Sequence, residues 1–350
     1  MNPPRSIILS RTDNLGDVML TLPMAGLLKE RFPGIAVYFL GKSYTRPLIE
    51  ASRHVDGFLD REDVLARPDA LRETGAEAIV HVFPDKAVAR AAKRAGIPLR
   101  IGTSHRLFHL FTCNRLVNLS RKSSDLHESQ LNIRLLQPLG ITDVPPLSRI
   151  GGWYGMRTDL PLPAGLASYF ADGRFRLILH PNSKGSAREW PTENYLSLAR
   201  SLPPESYCLF ITGTAAEGDQ VRMQQPELFA LPHVVDLTGK VSLTELVAVI
   251  SRVDGLVACS TGPLHIAAAM NKWAVGIYPP IRPMHPGRWG PVGPRASYLV
   301  LNKDCGDCRQ SGNCACIRAI EVRQVRAILA EGEDSGMSGL ERRRGQNTPG

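Results

Sequence analysis

The chain has 350 residues, 43% hydrophobic and 21% charged, with 42 Lys and Arg against 33 Asp and Glu for a formal charge of +9 at neutral pH. These proportions exclude a collagenous, low-complexity or wholly disordered chain, and no apolar run reaches the roughly 18 residues of a transmembrane helix. The length exceeds what one core ordinarily fills and predicts two domains. The basic excess predicts acidic partners: nucleic acid, phosphorylated sugars or an anionic membrane surface.

The opening MNPPRSIILSRTD has too short an apolar run for a signal peptide, because Ser10 and Arg11 end it, so a cytoplasmic protein is expected. Short β-rich runs follow at 6–10, 35–41, 76–83 and 98–102, separated by the helical patterns DVMLTLPMAGLLKERF, DKAVARAAKRAG and DLHESQLNIRLLQPLG. Strand and helix alternating at this spacing predict βαβ units around a parallel sheet. The Gly/Pro-rich stretch GGWYGMRTDLPLPAG at 151–165 is the linker candidate. Beyond it strands are predicted at 176–181, 206–213, 233–239, 255–260 and 274–280, again with helices between. The expected organisation is α/β: one Rossmann-like domain over 1–155, a second over 156–331 with a closing helix, and a disordered tail over 332–350.

The motifs sit at strand ends, which in such sheets face the ligand crevice. The first, RTDNLGDVMLTLP at 11–23, puts Asp17 directly after Gly16 in the loop following the first strand, where it is either a turn residue favoured by a helix dipole or a reacting group. The second, LHPNSKGSAREWP at 179–191, gathers Asn182, Ser183, Lys184, Ser186 and Arg188, a mix suited to a diphosphate or to a solvated basic loop. The third, CSTGPLHIAAAM at 259–270, places Thr261, Gly262 and Pro263 at a helix start, a ready anion site, with His265 in its first turn. The fourth, ITGTAAEGD at 211–219, offers Glu217 to ribose hydroxyls or to solvent. Two leads fail: the GKS at 41–43 lacks the glycine a phosphate loop needs at position 36, which is Ala36, and no G-x-G-x-x-G follows the first strand.

Two further clusters stand apart. Cys305, Cys308, Cys314 and Cys316 crowd into CGDCRQSGNCACIR, enough thiolates for zinc but in a spacing unlike usual zinc sites, so a reduced cysteine-rich loop without a metal is the expected state. From Pro84 to Lys122 nine Lys and Arg face one acid, Asp85, and Lys86, Arg90, Lys93 and Arg94 share one helix face. That face suits an anionic glycolipid or the membrane surface itself.

Taken together, RTDNLGDVMLTLP, HESQLN at 127–132, HPNSKGSAREWPTENY and DLTGKVSLTELVAVISRVDGLVACSTGPLHIAAA resemble glycosyltransferase family 9, the ADP-heptose–lipopolysaccharide heptosyltransferases of Gram-negative bacteria, over roughly residues 5–330. The resemblance implies the GT-B fold, two Rossmann-like domains facing a cleft, with the acceptor on the N-terminal domain and the nucleotide sugar on the C-terminal one. It implies inverting, metal-independent transfer of a heptose from an ADP-heptose donor to a lipopolysaccharide core acceptor at the inner membrane surface. By the same resemblance Asp17 is the general base and Asn14 and Gly16 lie close to the sugar. Asn182, Ser183, Lys184, Arg188, Thr261, Gly262 and His265 hold the diphosphate, and Glu217 the ribose. One position departs: many members carry an aspartate where this chain has Ser260, which leaves the donor sugar open. A nucleotide-sugar epimerase or hydrolase on the same fold, or a zinc-containing nucleic-acid-binding protein, are the alternative readings; nucleic acid is not the expected partner.

Overall fold

The computed structural model describes residues 3–341 except 68, 123, 283, 303–304 and 306–313. The chain divides into two compact units, Met1–Leu160 with Gly287–Pro294, and Pro161–Pro286 with Arg295–Gly350. The sequence placed the division after residue 155. The difference arises because the linker runs on against the first unit, where Met156 pairs with Ser52 and the Arg157 amide donates to the Ala51 carbonyl at 2.8 Å.

The first unit is built on strands β1 (Ser6–Ser10), β2 (Ala36–Gly41), β3 (Gly57–Asp60), β4 (Ala78–His81), β5 (Leu99–Thr103) and β6 (Arg115–Val117). They run parallel in the order β3-β2-β1-β4-β5-β6. Every residue of β1, SIILS, is buried, as a central parallel strand covered on both faces requires. The second unit carries β7 (Phe175–His180), β8 (Tyr207–Ile211), β9 (Val234–Asp236), β10 (Gly255–Cys259), β11 (Trp273–Ile277) and β12 (Ala296–Leu299), ordered β12-β11-β10-β7-β8-β9. Read from β9, this is the same doubly wound order as the first unit. Each sheet therefore reverses direction once, between β1 and β4 and between β7 and β10, and such a switch point is where these folds open a crevice beyond the strand ends.

Edge strands β3, β6 and β12 escaped the sequence reading. They have three or four residues each, and none is buried throughout, so they lack the long apolar run that marks a central strand.

The helices that position the site are α1 (Leu15–Met19), α2 (Pro23–Arg31), α3 (Lys86–Arg94), α4 (His109–Thr112), α5 (Glu128–Arg134), α6 (Ala215–Gln224), α7 (Gly262–Ala269) and α8 (Val322–Glu341). The sequence merged α1 and α2. They part because Pro23, which has no N–H to donate, can start a helix but not continue one. Helix α8 passes through Gly332, where a disordered tail was expected to begin, and its backbone is helical to Glu341. A glycine inside a helix costs about 1 kcal/mol but does not forbid the turn. Residues 342–350 lie outside the described ones. No described helix is long and apolar enough to cross a membrane.

Gly26 in α2 is a position where a close approach demands glycine: a Cβ there would run into the backbone carbonyl and Cα of Trp153. Helix propensity alone favours alanine by about 1 kcal/mol, whereas overpacking against backbone costs about 1–3 kcal/mol or more. Gly26→Ala is therefore expected to lower the unfolding free energy by about 2 kcal/mol in urea denaturation. A gain in stability would contradict this packing.

Candidate active site

In the first unit, the loop leaving β1 carries Arg11, and the whole local structure is arranged around its side chain. The guanidinium is 4% exposed and makes ion pairs with Asp13 at 2.7 Å, Glu128 at 3.0 Å and Asp17. It also donates to the Asn132 side-chain oxygen, Oδ1, at 3.3 Å. Asn132 in turn accepts from Arg121 at 2.9 Å and donates to the Leu20 carbonyl at 3.0 Å, tying α5 to the end of α1.

Glu128 is fully buried and accepts from three arginines: Arg11, Arg121 at 2.9 Å, and Arg288 through Nε at 2.8 Å. Burial opposes its charge, but Arg121, Arg11 and Arg288 together hold its carboxyl below the usual glutamate range. Arg288 belongs to the Gly287–Pro294 segment that returns to the first unit. His127 fixes the same segment by bonding through Nε2 to the Gly290 carbonyl at 2.9 Å, while its Nδ1 caps α5. The sequence reading assigned this return segment to the second domain, because partners some 160 positions apart leave no local pattern.

Asp17, in the first turn of α1, has an uncommon balance. Its carboxyl is pushed up to about 6, chiefly by burial, with the charges of Asp13 and Glu128 adding to the rise and Arg11 opposing it. Arg11 alone would depress an acid, but here one cation is shared among three carboxylates, so no single one receives its full field. Asn14 is the exposed N-cap residue of α1, and its side chain makes no capping bond. Gly16 lies beside Asp17 in the same turn.

Lys86, Arg90, Lys93 and Arg94 are all exposed along α3. Its N-cap is Asp85, whose carboxylate accepts from the Ala87 and Val88 amides and from Arg61. A rise of 1.5 Å per residue puts Arg94 about 12 Å beyond Lys86 along the helix, so the four cations form a face and do not gather at one point. Of the nine cations in the sequence count, Arg121 pairs with Glu128, and Arg100, Lys93 and Arg115 donate to backbone carbonyls.

In the second unit the predicted donor residues collect at the ends of β7, β8 and β10. The loop after β7 folds on itself: Glu189 accepts from the Ser183 amide at 2.6 Å and from its hydroxyl at 2.8 Å. Lys184 and Gly185 both take positive φ, 51° and 76°, which turns the chain sharply and leaves Lys184 exposed above buried Asn182 and Ser183. The loop is pinned to β10 where the Trp190 amide donates to the Cys259 thiol at 3.2 Å, and to the C-terminal segment where its indole donates to the Ile320 carbonyl at 2.8 Å. Arg188 is half-buried in it.

Glu217 is part of a capping box on α6: one of its oxygens accepts from the Thr214 amide at 2.7 Å and hydroxyl at 2.8 Å. Burial works against its charge, but the Thr214 bonds and the nearby His180 and Lys184 keep it ionised below the usual range. At the end of β10 the Ser260 hydroxyl bonds to Tyr278, a buried phenol whose pKa is raised by that burial. Thr261 is the N-cap of α7 with no side-chain capping bond, and Pro263 follows inside the first turn. Its hydroxyl is buried, the residue being 6% exposed, and has no hydrogen-bond partner among the described residues. His265 is buried one turn on.

Of the cysteine cluster, Cys308 lies outside the described residues, while Cys314 and Cys316 are buried in the second unit's apolar core with Ile317 and Ile320. Among the described residues no group of three or more His, Cys, Asp or Glu side chains is placed to hold a metal ion.

Two doubly wound units, each with its polar residues at the switch point, define a glycosyltransferase fold of the GT-B type. Residues 152–316 match the model of glycosyltransferase family 9 (heptosyltransferase). It is 23% identical to lipopolysaccharide heptosyltransferase 3 of Escherichia coli over 75% of this chain and 80% of that one. It is 33% identical to lipooligosaccharide heptosyltransferase 2 of Haemophilus influenzae over about a third of each, 33% and 34%. The solved structure of E. coli ADP-heptose lipopolysaccharide heptosyltransferase II shares the fold with a TM-score of 0.72 at 21% identity, covering 93% of this chain and 98% of that one.

The Glu128 cluster makes a direct prediction. Removing one member of a buried charge network leaves the others uncompensated, at a cost of about 3–5 kcal/mol. Glu128→Ala is expected to lower the unfolding free energy by that amount in guanidinium denaturation. A loss below about 1 kcal/mol would mean that Arg11, Arg121 and Arg288 do not depend on it.

Proposed function

We propose that the protein is an inverting heptosyltransferase that moves a heptose from ADP-heptose to a lipopolysaccharide core acceptor, with Asp17 as the general base. The observation that carries this reading is the Asp17 carboxyl, held in the first turn of the helix that follows β1, with its pKa pushed up to about 6. A base poised near the working pH is ionised enough to act and basic enough to take a proton. The match of residues 152–316 to the family 9 model and relatives named as heptosyltransferases support the substrate class.

In the proposed reaction Asp17 accepts the acceptor hydroxyl's proton as that oxygen attacks the anomeric carbon. The bond to the diphosphate breaks from the opposite face, and ADP leaves with the electron pair. A single displacement inverts the anomeric configuration and needs no second carboxylate. Lys184, Arg188 and the amides at the start of α7 offset the charge growing on the leaving diphosphate, so this reading assigns no metal to that task. The unpartnered Thr261 hydroxyl supports a phosphate oxygen at that position, since leaving a buried hydroxyl unsatisfied costs about 1–3 kcal/mol. Glu217 accepts from the ribose, and Ser260, already bonded to Tyr278, meets the donor sugar as a neutral group. The cations of α3 suit an anionic glycolipid acceptor.

Asp17→Asn is expected to lower kcat/KM by about 10²–10⁴-fold while ADP-heptose still binds in calorimetry. Because the base acts only when deprotonated, kcat/KM of the unaltered enzyme should rise with pH through about 6 and level off above it. A variant retaining full transfer would remove Asp17 from this role, and heptose released without acceptor would favour a hydrolase.

Thr261→Val keeps the shape of the side chain and removes only the hydroxyl. Stability is expected to change by less than about 1 kcal/mol, since no protein hydrogen bond is lost, while the Kd for ADP rises about three- to tenfold, the worth of one hydrogen bond. Unchanged ADP affinity would place the phosphate elsewhere.

A further inference from the structure

The segment joining β5 to β6 is inside out. In α4 the polar residues face inward: His109 is 0% exposed, with Nδ1 bonded to the Thr103 carbonyl at 3.0 Å, and Thr112 is 6% exposed. The large apolar residues face water, with Leu107 73%, Leu110 51% and Phe111 69% exposed. A soluble protein's amphipathic segment does the reverse, and a cluster of exposed large apolar side chains marks an interaction surface. Nor is the cluster loosely held. The Lys93 ammonium donates to the Phe111 carbonyl at 2.9 Å, and Arg100 donates to the Thr112 carbonyl at 2.8 Å, so α4 is fastened against α3 and β5.

Cations surround it. Arg106 and Arg115 flank the apolar residues in sequence, and both are exposed. Beside α4 runs the exposed basic face of α3, with a shallow depression lined by Leu65, Ala87, Arg90, Lys93 and Arg94. None of Lys86, Arg90, Lys93, Arg94, Arg106 and Arg115 has a carboxylate partner among the described salt bridges. Apolar side chains flanked by unpaired cations match one occupant, in which hydrocarbon lies just beneath a layer of negative charge. A second copy of the chain fits poorly, because pairing this face with itself would bring the two sets of cations together.

We propose that Leu107, Leu110 and Phe111 insert into an anionic lipid bilayer while the cations of α3, Arg106 and Arg115 bind its phosphate headgroups. The first unit would then rest on the membrane by this face. The inference goes beyond the transferase reading and does not depend on it, since lipid binding needs neither donor nor acceptor.

The test uses the full-length protein and vesicles made either of phosphatidylcholine alone or of equal parts phosphatidylcholine and phosphatidylglycerol. The unaltered protein should sediment with the anionic vesicles and remain in solution with the neutral ones. Leu107→Asp combined with Phe111→Asp should weaken vesicle binding at least tenfold, and Arg90→Gln alone by roughly fivefold, the share of one cation near an anionic surface. Phe111→Trp, a milder change, should show a blue-shifted emission on adding anionic vesicles as the indole leaves water. ADP affinity serves as the control for folding and should match the unaltered protein in every variant.

Failure to bind anionic vesicles overturns the proposal. So does vesicle binding that survives the double aspartate substitution, or a Phe111→Trp emission that does not move, either of which would mean adsorption by charge alone. Dimerisation in lipid-free buffer that the double substitution abolishes would assign the face to a second copy instead. Loss of ADP binding or of transfer in the unaltered protein would strike the transferase reading and leave this one standing.

Discussion

One buried guanidinium organises the first unit. Arg11 leaves the end of β1 and is almost wholly removed from water, so its charge must be met by partners within the fold. Asp13 and Asp17 meet it from the same loop and Glu128 from α5. Glu128 in turn collects Arg121 and Arg288, so the three arginines and three carboxylates sum to no net charge. The network joins β1, α1, α5 and the returning 287–294 segment by bonds that no apolar packing could make so specific. It also sets the chemistry. Glu128 takes up part of Arg11's field and Asp13 another part, and Asp17 is left with burial dominating its protonation. Burial is thus what makes Asp17 basic, with Asp13 and Glu128 adding to the rise and the shared Arg11 only partly opposing it.

The second unit solves a different problem with the same topology. Its polar loops follow β7, β8 and β10 and stay open at the sheet edge without collapsing into the core. The Trp190 side chain is the anchor: its indole reaches the C-terminal segment, its backbone reaches Cys259, and its ring packs on Tyr195. Glu189 closes the loop from within by holding Ser183. Ser183 therefore has a structural bond already made, whereas the Thr261 hydroxyl has none among the described residues. Lys184, the strained residue at positive φ, sits where the turn leaves its side chain outside the bonded framework.

Much of this was legible before the fold was known. The buried central strands show as unbroken apolar runs, and the start of α7 is marked by Gly262 and Pro263. The motif residues fall at strand ends because parallel α/β sheets put them there. What stayed hidden is long-range and electrostatic. Arg11 reads as the residue that ends a strand, Glu128 as a first-turn acid and Arg121 as one charge in a basic stretch; only the fold makes them a single site. Arg288 and its segment changed domain for the same reason. The edge strands were too short to show a pattern. The exposed apolar side chains of α4 were invisible because helical spacing cannot say which face of a four-residue helix looks inward.

Whether burial and a shared guanidinium leave Asp17 a base near neutrality is read most directly from the titration of its carboxyl carbon by NMR in protein labelled with ¹³C-aspartate, assigned with Asp17→Asn. An inflection is expected at about 6, moving down in Glu128→Gln, where a negative charge is removed and Arg11 is released to its remaining partners. An Asp17 that titrates in the ordinary range near ~4, unmoved by Glu128→Gln, would contradict it.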